Sequence, residues 1–199
     1  MKFNFTTTRL KLLDFDIENR PLSYLGMDFT TSEITAIAWK WSGTRDKPVV
    51  YVYDGSPDST YMMLSHFVTA YNEADVVTGH YIRNHDLPII NGALIEYSFL
   101  PLQEKMTSCT KNDLIGFKGL SKSQENLSEM FGLRAPKVHM NTPRWREANR
   151  LTEQGIELTK ERVVGDVKQH IELRAALVSR NLLAPPKMWR PKVSGRFAA

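Results

Sequence analysis

The spacing of apolar and polar positions changes character along this chain, from strand-like alternation near the start to helical periodicity further on. Residues 9–17 read as a first strand that runs into the acidic positions Asp14, Asp16 and Glu18. Pro21 follows and is expected to end regular pairing. Residues 33–41 are rich in β-formers and give a second strand. The turn Gly43-Thr44-Arg45-Asp46 leads to a third, over 49–53, which completes a meander. Met63, Leu64, Phe67, Val68 and Tyr71 then recur at helical spacing, with Asp58 or Ser59 placed to cap. Residues 75–79 form a short buried strand, and 87–97 a helix with Pro88 in its first turn. Asp86 therefore falls where a strand has ended and a helix begins, the place where open α/β sheets carry their chemistry.

The second half continues the alternation. Residues 105–109 make a fifth strand. Ser121 and Gln124 have capping-box spacing ahead of Leu127, Met130 and Phe131, and Gly132 ends that helix. A basic loop over 134–143 and a helical stretch over 145–150 follow. Residues 158–180 read as one long helix, with Val163, Val167, Ile171, Arg174 and Val178 on one side. Arg162, Asp166, Gln169 and His170 lie on the adjacent stripe. Gly165 inside this helix costs about 1 kcal/mol against alanine, which points to a close approach there. Three strands followed by alternating helix and strand imply an α/β fold.

Composition narrows the class only slightly. The chain has 199 residues, 42% hydrophobic and 24% charged, enough for one domain with a real core. The expected organisation is a single domain over 1–184 and a basic, proline-rich tail over 185–199, read as a mobile arm or partner-binding segment. The formal net charge of +4 permits a polyanionic partner without requiring one. Cys109 is the one cysteine, so neither an internal disulfide nor a cysteine-rich zinc site is available. No apolar run approaches the ~18 residues of a membrane span, and the first residues lack an apolar signal core. The expected location is cytoplasmic.

Asp16 and Glu18 point to the same face of their strand. Two such carboxylates repel unless a cation sits between them, and hard oxygen ligands suit Mg²⁺ or Mn²⁺. Solvent at an exposed strand end would also relieve them, and Asp14 shares the face, so a 14/16 pair is an alternative register. Asp86 and Asp166 supply two further carboxylates from elsewhere in the chain.

In their order and flanking residues these sites resemble the DEDD (DnaQ-like) superfamily of 3′–5′ exonucleases. Its first motif reads here Leu13-Asp14-Phe15-Asp16-Ile17-Glu18. The second reads Thr78-Gly79-His80 through Asp86-Leu87-Pro88, and the third Arg162-Val163-Val164-Gly165-Asp166-Val167. The segment from Gly119 to Leu133 is similar to the helix leader between the last two. The resemblance spans about residues 10–180 and has the flavour of phage-encoded members, which would place the protein in host cytoplasm. It implies an RNase H-like fold, a mixed five-stranded sheet with strand 2 antiparallel and helices on both faces. It implies four metal-binding acids, Asp16, Glu18, Asp86 and Asp166, holding two Mg²⁺ or Mn²⁺ ions. The expected substrates are 3′ ends of single-stranded DNA or RNA, with a DNA polymerase as a possible partner.

The chain also departs from that pattern. The family's Tyr or His, four or five residues before the last Asp, is replaced by Arg162 and Glu161. His170, one turn after Asp166, is the substitute proton acceptor. His80 and His85 lack further ligands to complete a zinc set. Candidate nucleic-acid contacts are Tyr24, Tyr81, Arg83, Lys118 and Lys122, by stacking and by phosphate pairing. Beside the DNA exonuclease stand an exoribonuclease of the same fold and a non-catalytic nucleic-acid-binding or polymerase-associated module.

Overall fold

The computed structural model of the chain describes residues 10–23, 30–135 and 138–191; Tyr24 lies outside them. Strand β1 (Leu12–Ser23) pairs antiparallel with β2 (Thr30–Trp41), and β2 antiparallel with β3 (Val49–Val52). β1 runs well beyond the expected end, through Pro21. Its other neighbour, β4 (Val76–Gly79), pairs in parallel with Leu12, Leu13 and Asp14 only. Past that point no strand among the described residues pairs with β1 on the β4 side, and a proline's missing N–H there breaks no described ladder. A register shift between Glu18 and Asn19 falls at the acidic end of the strand.

β4 is parallel to β5 (Lys105–Cys109), and β5 is antiparallel to β6 (Lys187–Trp189). The sheet order is β3-β2-β1-β4-β5-β6. This mixed sheet, with helices on both sides, fits the RNase H-like expectation, with one correction: it has six strands. The sixth comes from the segment expected to be a mobile tail. Trp189 is only 8% exposed and joins the main core, and burying an indole of about 150–250 Å² favours docking over solvation. The flanking prolines at 185, 186 and 191 are compatible with an edge strand.

Alternation along β1 separates the two faces. Leu13, Phe15 and Ile17 enter a core formed with α1 (Pro57–Glu73) and α2 (Asp86–Glu96), where Phe15 lies 5.1 Å from Phe67 between ring centroids. Each such fully buried side chain contributes about 1.5–3 kcal/mol. Ser56 caps α1, ahead of Pro57, in place of the expected Asp58 or Ser59. The opposite face is covered by α6 (Glu153–Val178), whose Val163 and Val167 pack on Ala36 and Ala38 of β2. These small strand residues and the buried Gly165 allow the helix to lie close. A third cluster, Leu114, Leu127, Leu173 and Leu177, joins the far half of α6 to α4 (Gln124–Met130). Ser123, not Ser121, caps α4. Two short helices, α3 (Thr110–Asp113) and α5 (Thr142–Ala148), complete the fold. Among the described residues no helix is long and apolar enough to cross a membrane.

Candidate metal centre

Because Leu13, Phe15 and Ile17 fill the core, Asp14, Asp16 and Glu18 must face α6. Asp166 comes down from that helix to meet them. One carboxylate oxygen from each of Asp16, Glu18 and Asp166 lies within 4.8 Å of the others. The register shift after Glu18 interrupts the ladder at this point, and pairing resumes from Asn19 to Ser23.

Asp86 arrives from the other side, as the first residue of α2, and is 2% exposed. A tight reversal after β4 brings it there. A Cβ on Gly79 would lie 2.3 Å from Ile82 Cγ2 and 2.7 Å from the Phe15 carbonyl oxygen, so only glycine fits where β4 leaves the sheet. Tyr81 holds the turn with φ of 75°, in the left-handed region. The preceding His80 is held on both ring nitrogens, Nδ1 2.9 Å from Thr110 Oγ1 and Nε2 2.9 Å from the Lys122 carbonyl. It is a brace for this turn and carries no zinc-ligand geometry.

Burial pushes the Asp16 carboxyl well above its ordinary range, and the neighbouring charges of Asp86, Asp166 and Glu18 push it further, in that order. The guanidinium of Arg162 opposes them. The other three expected acids therefore all act on Asp16. A buried carboxyl among three others is costly in its charged form, and a divalent cation relieves that cost. The hard, all-oxygen donor set fits Mg²⁺ or Mn²⁺. His85, half-exposed, places Nδ1 3.4 Å from Asp86 Oδ2, and that contact raises its pKa against the opposing effect of burial.

Arg162, at the position where the resemblance led to the expectation of a Tyr, faces the cluster. Its Nε donates to Glu18 Oε1 at 3.0 Å, Nη2 lies 2.8 Å from Asp166 Oδ2, and Nη1 donates to the Val138 carbonyl at 2.9 Å. The sequence marks this residue only as a departure. The four-residue spacing to Asp166 is the signal that the two share a helix face.

Asp14 belongs to a different, structural arrangement. It is fully buried and accepts from Arg174 Nε at 2.9 Å and Nη2 at 3.0 Å, and from Ser42. Burial alone would raise its pKa, but contact with His170 and Arg174 outweighs it and the net shift is downward. Asp14 is thus paired at the start of the strand, while Asp16 and Glu18 lie with Asp166. An arginine among Val163, Val167 and Ile171 was the sequence signal for a buried counter-charge.

His170 joins Asp14 as well. Its Nε2 lies 3.4 Å from Asp14 Oδ1 and 3.2 Å from Thr78 Oγ1, and the side chain is 1% exposed. The expectation that it replaces the missing proton acceptor is corrected. One turn beyond Asp166, the helix face has moved from the middle of β1, at Asp16 and Glu18, to its buried beginning.

The expected nucleic-acid contacts divide. Arg83 is engaged inside the fold, with Nε 2.7 Å from Thr107 Oγ1 and Nη2 2.6 Å from the Thr107 carbonyl, so it does not fit that role. Lys122 donates to the Leu120 carbonyl at 3.0 Å. Lys118 is exposed, and the half-buried Tyr81 ring lies 4.1 Å below Lys111 Nζ.

No family model matches this chain, and neither does any curated protein. Its structure is similar to part of a family B DNA polymerase from the hyperthermophilic archaeon Pyrobaculum calidifontis, with a TM-score of 0.67 and 16% identity over 87% of this chain and 25% of that one. The chain thus spans about a quarter of the polymerase's length, and at this identity the likeness is one of fold.

Proposed function

We propose that this chain is a metal-dependent 3′–5′ exonuclease of the DEDD type, acting on 3′ ends of single-stranded DNA. The observation that carries the reading is the convergence of one carboxylate oxygen each from Asp16, Glu18 and Asp166 within 4.8 Å, with the charge of Asp86, at the start of α2, also acting on Asp16. Carboxylates from three separate elements would be costly to assemble without a cation to use them. A fold shared with part of a DNA polymerase is consistent with a nucleic-acid partner.

Asp16, Glu18 and Asp166 would hold the metal, with Asp86 completing the charge on the opposite side. Bound Mg²⁺ or Mn²⁺ supplies an activated water at neutral pH and stabilises charge on the leaving oxygen. His85 holds the Asp86 carboxylate by its Nδ1, and its exposure gives it access to solvent for proton exchange. Lys118 is placed on the surface to meet a phosphate, and the Tyr81 ring offers a stacking face.

The non-catalytic module has one observation in its favour: Arg162 already bridges Glu18 and Asp166. A time course on 5′-labelled single-stranded DNA with Mn²⁺ or Mg²⁺, beside Asp16→Ala and Asp86→Ala, separates the readings. The exonuclease gives a ladder shortening from the 3′ end that both variants lose. No ladder on DNA or on RNA establishes the module instead.

A further inference from the structure

Arg162 is a resident cation inside a cluster built for cations. Its side chain is only 14% exposed, and each of its three nitrogens has a partner: Glu18 at 3.0 Å, Asp166 at 2.8 Å and the Val138 carbonyl at 2.9 Å. Glu18 and Asp166 are two of the three acids whose oxygens converge within 4.8 Å. An arginine held in this way is a fixed positive charge, since its guanidinium does not lose its proton in proteins. It also directs two of the carboxylates toward itself, and a planar fork does this more rigidly than an ammonium.

We infer that Arg162 takes one of the cation places in the four-acid cluster, so that the native chain binds one divalent ion fewer than the same chain without that guanidinium. This rests on the reading of the cluster as a metal centre. Two effects act together. The guanidinium engages one oxygen of Glu18 and one of Asp166, removing them from a metal's coordination sphere. Its charge also repels any ion brought against the same carboxylates, in a setting where water screens little. Asp16 and Asp86 are the acids it does not bond, and Asp16 stays in the cluster with Glu18 and Asp166 to hold the ion the chain does take. In the absence of metal, Arg162 serves the fold by relieving repulsion between β1 and α6.

The test counts ions and does not depend on cleavage. Mn²⁺ stoichiometry is measured by isothermal titration and by electron paramagnetic resonance of unbound Mn²⁺, on the native chain, Arg162→Gln and Arg162→Lys. Circular dichroism in EDTA confirms that each variant is folded. Expected is one ion for the native chain and for Arg162→Lys, and two for Arg162→Gln, with the first binding at least tenfold tighter. A native chain without ions beside a Gln variant that gains one supports the inference while removing the nuclease reading for the native chain. Equal occupancy of one or two in native and Gln chains overturns the inference and leaves the metal centre standing. No ion on any of the three overturns both. Should Arg162→Gln fail to fold, Arg162→Lys decides: two ions bound to the native chain or to the lysine variant overturn the inference, and one on each supports it.

Discussion

Arg174 grips Asp14 with two parallel hydrogen bonds, Nε to Oδ1 at 2.9 Å and Nη2 to Oδ2 at 3.0 Å, where the aspartate is fully buried at the start of β1. The pair fastens α6 to the central strand two residues before Asp16. Together with the packing of Val163 and Val167 on β2, it holds the long helix over the sheet where Asp166 meets Asp16 and Glu18.

Breaking this pair from one side strands a buried charge. Arg174→Met is expected to cost about 2–4 kcal/mol, toward the lower range for a buried pair because Arg174 keeps some exposure. Asp14→Asn with Arg174→Met should recover much of that loss. Denaturant unfolding of the two variants checks both. The Asp14 pKa is lowered in the fold, so its contribution is present above the unfolded value and is lost as pH falls through the folded one.

Asp16 shows the opposite sign. Its folded pKa is raised, so the penalty it imposes grows as pH climbs past its unfolded value and is complete above the folded one. In EDTA at neutral pH, Asp16→Asn should therefore be more stable than the native chain, by about 1 kcal/mol or more. The difference should vanish near pH 3, where both side chains are neutral. Added Mg²⁺ should stabilise the native chain and leave the variant nearly unmoved, as thermal melts with and without metal would show. An equal response of the two would remove Asp16 from the metal centre.

His170 is predicted to matter for stability and not for proton transfer. His170→Ala opens space beside Asp14 and Thr78 and should cost about 2–4 kcal/mol. In a nuclease assay run below the variant's melting temperature, the shape of the pH–rate profile should be that of the native chain. A lost basic or acidic limb would restore His170 to the chemistry.

The C-terminal strand gives a fourth test. Trp189→Ala removes a core indole and should destabilise by about 3–5 kcal/mol. Ending the chain before residue 187 should do at least as much, because β5 loses its antiparallel partner. A truncated chain that melts at the native temperature would show β6 to be dispensable.

The order of elements, the meander, the meeting of Asp16, Glu18 and Asp166, and the place of Asp86 at a helix start were legible because each depends on local pattern: alternation in β1, helical spacing in α6, a strand-to-helix turn before Asp86. What was hidden depended on partners distant in sequence. Nothing near Lys187, Met188 and Trp189 marks them as a strand, since β5 supplies the pairing and the core supplies the pocket. His170 was misplaced because sequence spacing gives the helix face but not where along β1 that face lands. Arg83 looked available for phosphate until Thr107 was seen to hold it. Pro21 misled for the same reason, as its tolerance depends on β4 stopping at Asp14.

The acids that repel one another stand on β1, at the head of α2, and on α6, elements far apart along the chain. Contacts of such long sequence separation are slow to form, so the share of the clustered charge that Asp166 brings opposes folding only once α6 docks. The barrier to that docking is then set by the hydrophobic seam of Val163 and Val167 on β2, and the repulsion is felt chiefly in how fast the helix leaves again. A cation bridging strand and helix would therefore lengthen the lifetime of the native state without hastening its formation, and the centre would act as a kinetic latch on the last helix of the fold.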